Sequence, residues 1–136
     1  MKQFDKLLKS MNLDFFGNGK HKVKSSEHFN DKEGVLLDIR SKEEYETLAL
    51  TLYHHMPVIH IPTDEIPDRI KEIPKNKTIG IFCSSGTRAA IVYAYLRLYG
   101  FTWDKVKIIE GGYTGLATEF TPGKLLKKLM EKGENK

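Results

Sequence analysis

Four short apolar runs punctuate this chain: Val35–Ile39, Val58–Ile61, Ile79–Phe82 and Val106–Ile109. They are rich in β-branched residues, and stretches of helical character separate them. Runs of this length, apolar on nearly every position, suit strands buried on both faces. Ser41 is placed to cap a helix over Lys42–Leu48, with Glu43 and Glu44 in its first turn. Thr63 is placed to cap a helix carrying Ile66, Ile70 and Ile73, with Pro67 early enough to be tolerated. A third helix runs over Thr87–Tyr99 and ends at Gly100, a left-handed cap. His21–Lys24 reads as a further strand. Strands that alternate with helices imply an α/β fold, a parallel sheet with helices on both faces. Ligands then bind beyond the carboxyl ends of the strands. Periodicity leaves the strand order open.

The remaining segments complete one domain over residues 1–136. Residues 1–19 form an N-terminal extension, with a helix over 2–11 from the spacing of Phe4, Leu7, Leu8 and Met11 and a turn-rich linker from Phe15 to Lys20. The core runs over 20–118, with a capped helical turn at Ser25–Phe29. Residues 119–136 hold a C-terminal amphipathic helix over Pro122–Glu131, with Leu125, Leu126, Leu129 and Met130 on one side.

Composition excludes several classes. There is no apolar run long enough to span a membrane and no leader-like apolar segment at the start, so no membrane association is expected. The single cysteine rules out an internal disulfide framework and fits a reducing, cytoplasmic setting. The net charge of +4 is largely lysine, much of it near the C-terminus at Lys124, Lys127, Lys128 and Lys132. Without clustered arginine and interleaved aromatics, no nucleic-acid partner is expected. His54 and His55 are adjacent and point apart on any regular element, and no ligand set has usable spacing. Neither a metal nor a cofactor is expected.

The one cysteine is Cys83, directly after the Thr78–Phe82 run. It opens the stretch Cys83-Ser84-Ser85-Gly86-Thr87-Arg88, and a helix follows at once. Small residues let several backbone N–H groups turn inward toward one sulfur, and Gly86 permits a turn barred to other residues. The helix start adds partial positive charge beneath them. A thiolate held there is a nucleophile. The competing reading is an inert buried cysteine at a strand end.

The order strand, C-x-x-G-x-R, helix resembles the active-site loop of the rhodanese sulfurtransferase family. Val35-Leu36-Leu37-Asp38-Ile39-Arg40-Ser41-Lys42-Glu43-Glu44-Tyr45 resembles the family's "LLDVRxxEEY" segment. His60-Ile61-Pro62 resembles its "xIP" strand end, and Glu110-Gly111-Gly112 with Gly115 resembles its "EGG..GW" segment. The resemblance covers roughly Lys20 to Leu116. It implies a rhodanese-like fold, a five-stranded, mostly parallel sheet, and makes Cys83 the catalytic residue. Ser84, Ser85, Gly86, Thr87 and Arg88 become the substrate-binding loop, with Arg88 a planar fork for an anionic donor. Asp38 and Arg40 sit beside the site and hold neighbouring loops by ion pairing. Glu44 reads as a helix-face or pairing residue, and Gly111 and Gly112 as a tight turn near the loop.

The implied activity moves a sulfane sulfur from thiosulfate or a polysulfide or persulfide donor to a thiophilic acceptor through a Cys83 persulfide. The partners are a small sulfur-donor anion and an external thiol, cyanide or protein thiol. Three departures bear on substrate: Leu52–Ile59 lacks the glycines of the family's "GHIPGA", Ala89 replaces a serine, and Ser84 replaces a basic residue. The loop still resembles the thiosulfate type more than the mercaptopyruvate type. Two alternatives remain. One is a sulfur-carrier or regulatory binding module with little turnover of free thiosulfate. The other is a C-x5-R phosphatase or arsenate reductase, against which the C-x4-R spacing stands.

Overall fold

The structure, a computed structural model, describes residues 2–47 and 56–119. Five strands form one parallel sheet in the order β1-β5-β4-β2-β3. They are β1 (Lys22–Val23), β2 (Gly34–Asp38), β3 (Val58–His60), β4 (Thr78–Phe82) and β5 (Val106–Ile109). β4 lies at the centre with β2 beside it, in register from Gly34 opposite Thr78 to Asp38 opposite Phe82. The Ile39 N–H donates to the Phe82 carbonyl at 3.0 Å. The chain therefore leaves β2 toward Arg40 and leaves β4 toward Cys83 side by side, at the carboxyl edge of the sheet.

Alternation along the strands sends successive side chains to opposite faces. Val35, Leu37, Ile39, Ile79, Ile81 and Cys83 join one core cluster, while Leu36, Phe82 and Ile109 join another with Phe29 and Met56. Helix α6 (Thr87–Leu98) supplies Ala89, Val92, Tyr93 and Leu96 to the first cluster. Each fully buried aliphatic or aromatic side chain contributes roughly 1.5–3 kcal/mol. Helix α1 (Lys2–Ser10) packs against α6, and α3 (Ser25–Phe29) against α7 (Gly112–Glu119).

Three local expectations are corrected. The expected linker at Phe15–Lys20 begins inside a helix, α2 (Leu13–Gly17), because the Asn12 side chain accepts the Phe15 N–H at 3.0 Å. The α3 turn has Lys24 as its N-cap with no side-chain bond, and Ser25 is buried as its first residue. Thr63 does not cap a continuous helix; its hydroxyl donates to the Ile39 carbonyl at 3.0 Å. The stretch breaks into a 3-10 turn at Thr63–Glu65, α5 (Ile66–Arg69) and a second 3-10 turn at Ile70–Glu72. Pro67 lies in the first turn of α5, where its missing N–H and fixed ring prevent the preceding turn from joining in a regular ladder. Helix α4 spans Lys42–Thr47 within the described residues. The segment Leu52–His55 and the amphipathic stretch Pro122–Glu131 lie outside them. Among the described residues no helix is long and apolar enough to cross a membrane.

Candidate active site

Cys83 is the first residue beyond β4 and is 1% exposed. Its Sγ accepts the Gly86 N–H at 3.0 Å and the Ala89 N–H at 3.4 Å. Gly86 makes this turn possible with φ +94°. A Cβ there would meet nothing within 4 Å, so torsion rather than space calls for glycine. α6 begins at the next residue, and its first N–H groups lack intrahelical partners. The Ala89 N–H is one of these, and the helix dipole reinforces it. The inward-turned Gly86 N–H matches the expectation from sequence. The Ala89 contribution does not follow from the loop composition, though counting three residues into a helix starting at Thr87 locates it. Ser84 is half-buried, and Ser85 and Thr87 are exposed.

Arg88 points its fork at α4. Nη1 donates to Glu44 Oε1 at 2.6 Å, Nη2 donates to Glu44 Oε2 at 3.0 Å, and Nη2 also donates to Ser84 Oγ at 2.9 Å. Glu44 is held by the start of its own helix: the Glu44 N–H donates to Ser41 Oγ at 3.2 Å and the Ser41 N–H donates to Glu44 Oε1 at 3.1 Å. This reciprocal pair is a capping box. The Arg88 bonds are the largest influence on Glu44 and hold its carboxyl at about 2. The same pairing raises Arg88. Glu44 is thus a pairing residue, as its sequence context suggests, with a partner that sequence separation concealed.

Asp38 and Arg40 form a fully buried ion pair. Arg40 Nε donates to Asp38 Oδ1 at 2.9 Å and Nη2 to Oδ2 at 2.7 Å, while Nη1 donates to the Tyr113 hydroxyl at 2.8 Å. Burial works against the charge on Arg40, but the Asp38 and Tyr113 bonds outweigh it and raise the group above its ordinary value. The Phe82 and Tyr113 rings flank the guanidinium at 5.4 and 5.7 Å. His60 Nε2 reaches the Arg40 carbonyl at 2.8 Å, and the Tyr45 ring stacks on His60 at 4.2 Å. The pair fastens the end of β2 to α7. In turn the Tyr113 N–H donates to the Ser84 carbonyl at 3.0 Å, fastening α7 to the cysteine loop.

The family model of the rhodanese-like domain matches residues 23–119. The chain belongs to the rhodanese-like domain family. A sulfurtransferase from Allochromatium vinosum is 33% identical over 98 residues, which is 71% of this chain and 85% of that protein. A tRNA sulfurtransferase from Aeromonas hydrophila is 33% identical over 84 residues, 62% of this chain but 17% of that protein, so the chain spans less than a fifth of that relative. The crystal structure of a rhodanese-related protein from Thermoplasma volcanium superposes with a TM-score of 0.61 at 20% identity, covering 75% of this chain and 95% of that one. That likeness concerns the fold.

In this rhodanese-like chain the cysteine loop, the Asp38–Arg40 pair and the Gly111-Gly112 turn all fall inside the matched stretch. They converge at the carboxyl ends of β2, β4 and β5. Among the described residues no group of three or more His, Cys, Asp and Glu side chains could hold a metal ion.

Proposed function

We propose that this chain is a sulfurtransferase that carries a sulfane sulfur as a persulfide on Cys83. The observation that carries this reading is the pair of N–H groups, from Gly86 and Ala89, aimed at one buried sulfur at the carboxyl edge of the sheet. Such donors stabilise negative charge on sulfur before attack and on the persulfide after it. The names of the relatives point the same way. Ser84, Ser85, Gly86, Thr87 and Arg88 form the cup in which the transferred sulfur sits.

The first step is attack of the Cys83 thiolate on the outer sulfur of the donor. A new S–S bond forms, the donor's S–S bond breaks, and its electron pair leaves with the remainder: sulfite from thiosulfate, a thiolate from an organic persulfide. In the second step a thiolate acceptor attacks the outer sulfur of the persulfide and Cys83 departs as a thiolate. This is covalent catalysis with ping-pong kinetics. The 136 residues contain one cysteine, so the acceptor is supplied from outside them as a thiol, a protein thiol or cyanide.

Intact-mass measurement after incubation with sulfane-sulfur donors tests the reading. One added sulfur, removable by cyanide or dithiothreitol and absent from Cys83→Ser, is expected. A folded wild type that never gains the sulfur from thiosulfate, polysulfide or organic persulfide would rule the reading out.

A further inference from the structure

Beside the cysteine loop lies an open cavity of about 390 Å³. Helix α6 contributes Ala90, Tyr93 and Ala94 to it, and β5 contributes Ile108. The chain ahead of β1 contributes Met11, Phe16 and His21. These three precede residues 23–119, the stretch shared with the rhodanese-like domain. The cavity is thus a feature that the N-terminal extension adds to the fold. Ala90 and Ala94 are about one helical turn apart on one face of α6, and their small side chains leave space beside the helix. The cavity borders the walls of the cysteine loop. Ala90 follows Ala89, whose N–H donates to Cys83 Sγ, and Gly111, also in the lining, precedes Gly112, which abuts Ser84.

The lining is chiefly apolar. The Tyr93 hydroxyl is taken by Arg97 Nη1 at 2.9 Å, so Tyr93 offers its ring. Lys22 and Glu110, which also reach the cavity, bond each other at 3.4 Å. His21 differs from the rest. Its Nδ1 is shut off from water and has no hydrogen-bond partner. Burial, Lys22 and Lys107 push the ring below its ordinary 6.5, and Glu110 only partly opposes them. At neutral pH the ring is therefore uncharged, with one nitrogen that donates and one that accepts. The residue as a whole is half-buried and packs edge-on against Phe16 at 4.8 Å. Rotation about its Cβ–Cγ bond, a torsion with broad wells, brings a ring nitrogen to the cavity. A buried polar atom left without a partner is costly, and a ligand that supplies one removes that cost.

We propose that this cavity binds a small neutral aromatic alcohol, its ring against Phe16, Tyr93 and the two alanines and its hydroxyl bonded to His21. A hydroxyl both donates and accepts, so it satisfies either tautomer of the imidazole. An aromatic ring suits walls that already carry rings, through edge-to-face and offset contacts. The volume falls within the range of about 300–1,000 Å³ usual for small-molecule sites. A charged ligand would have to break the Lys22–Glu110 bond or leave its charge against apolar walls, which is unfavourable. The site is separate from the sulfur chemistry, because neither Cys83 nor any residue of the Ser84–Arg88 loop lines it.

Two-dimensional NMR of the full chain, titrated with 2-naphthol and with naphthalene, tests the proposal. Both probes fit the apolar walls, but naphthalene has no hydroxyl for His21. Saturable shifts of the Ala90, Ala94 and Met11 methyl signals are expected with 2-naphthol. Its dissociation constant should be about fivefold lower than that of naphthalene, the net worth of one hydrogen bond. His21→Phe keeps a ring and removes the nitrogens, so it should erase the preference. Ala94→Phe fills the cavity and should abolish saturation by either probe. Absence of saturable shifts in the wild type, or undiminished binding by a folded Ala94→Phe, would overturn the site. Equal affinity for the two probes in the wild type would overturn the assignment to an alcohol, and needs no variant. Sedimentation velocity accompanies the titration. A dimer that 2-naphthol dissociates would show that a second copy of the chain occupies the cavity, which would also overturn the proposal. Sulfur loading on Cys83 is not the readout, so the outcome is independent of the persulfide reading.

Discussion

Gly112 lies directly against Ser84: a Cβ built on Gly112 would overlap the Ser84 carbonyl oxygen. That same oxygen accepts the Tyr113 N–H at 3.0 Å. The first turn of α7 therefore forms one wall of the cysteine loop, and only a residue without a side chain fits between them. Gly112 also has φ +55°, and Gly111 beside it has φ +81°. The double glycine after β5 serves backbone approach at the cysteine loop rather than chain reversal alone.

Gly112→Ala and Gly86→Ala should therefore fail in different ways. At Gly86 the space for a methyl group exists and only the left-handed torsion is penalised, at roughly 1–2 kcal/mol. At Gly112 the methyl group must displace loop backbone, which costs more, on the order of 3 kcal/mol or above. Urea unfolding of the two variants should show this order. Gly112→Ala should also slow sulfur loading on Cys83, because the displaced atoms are those of Ser84. Equal destabilisation by the two substitutions would show that α7 yields easily at this contact.

Asp38→Asn should be among the most destabilising polar substitutions in the chain. It leaves the Arg40 charge fully buried with its partner neutral, and breaking one side of such a pair costs about 3–5 kcal/mol. Removing both charges together, as in Asp38→Leu/Arg40→Met, should recover at least half of that loss, since desolvation of the pair largely offsets its attraction. Denaturation midpoints of the single and double variants check this. A double variant as unstable as the single one would mean that the Arg40 bond to Tyr113 and its ring contacts carry the stabilisation instead.

The strands are legible in the sequence because β2 and β4 are buried on nearly every position and read as near-continuous apolar runs, and β5 is interrupted only by Lys107. The cysteine loop is legible because small residues and Gly86 sit between a strand and a helix, a local pattern. Pairing across the sequence is not legible. Nothing in the spacing of Glu44 and Arg88 says that α4 and α6 bring them together, nor that Tyr113 reaches Arg40 from α7. α7 itself is hidden because Gly112-Tyr113-Thr114-Gly115 has two glycines and no apolar period. Its packing supplies what propensity lacks. A Cβ on Gly115 would overlap the Glu110 carbonyl oxygen, so the glycine that weakens the helix is the one that lets it close on β5. α2 is hidden by a similar conflict, since Gly17, Asn18 and Gly19 argue for a turn while Asn12 caps a helix upstream of them.

His28 gives the fold a pH dependence of predictable sign. Its ring is buried, Nε2 lies 2.9 Å from the Val35 carbonyl, and a Cβ on Gly80 would come within 2.5 Å of that nitrogen. A carbonyl only accepts, so in the neutral ring it is Nε2 that bears the proton. Burial pushes His28 below its ordinary 6.5, and the Val35 bond and Asp31 only partly oppose this. Below 6.5 the unfolded chain takes up a proton that the folded chain refuses. Stability should therefore fall as pH drops from that point, and the loss should level off once the folded value is passed. His28→Gln removes the titration, so its unfolding free energy should decline less between about pH 7 and about pH 5 than that of wild type. His21, also lowered by burial and by Lys22 and Lys107, shares the sign but is present in both proteins and cancels in the difference. Parallel declines in wild type and His28→Gln would assign the acid sensitivity elsewhere.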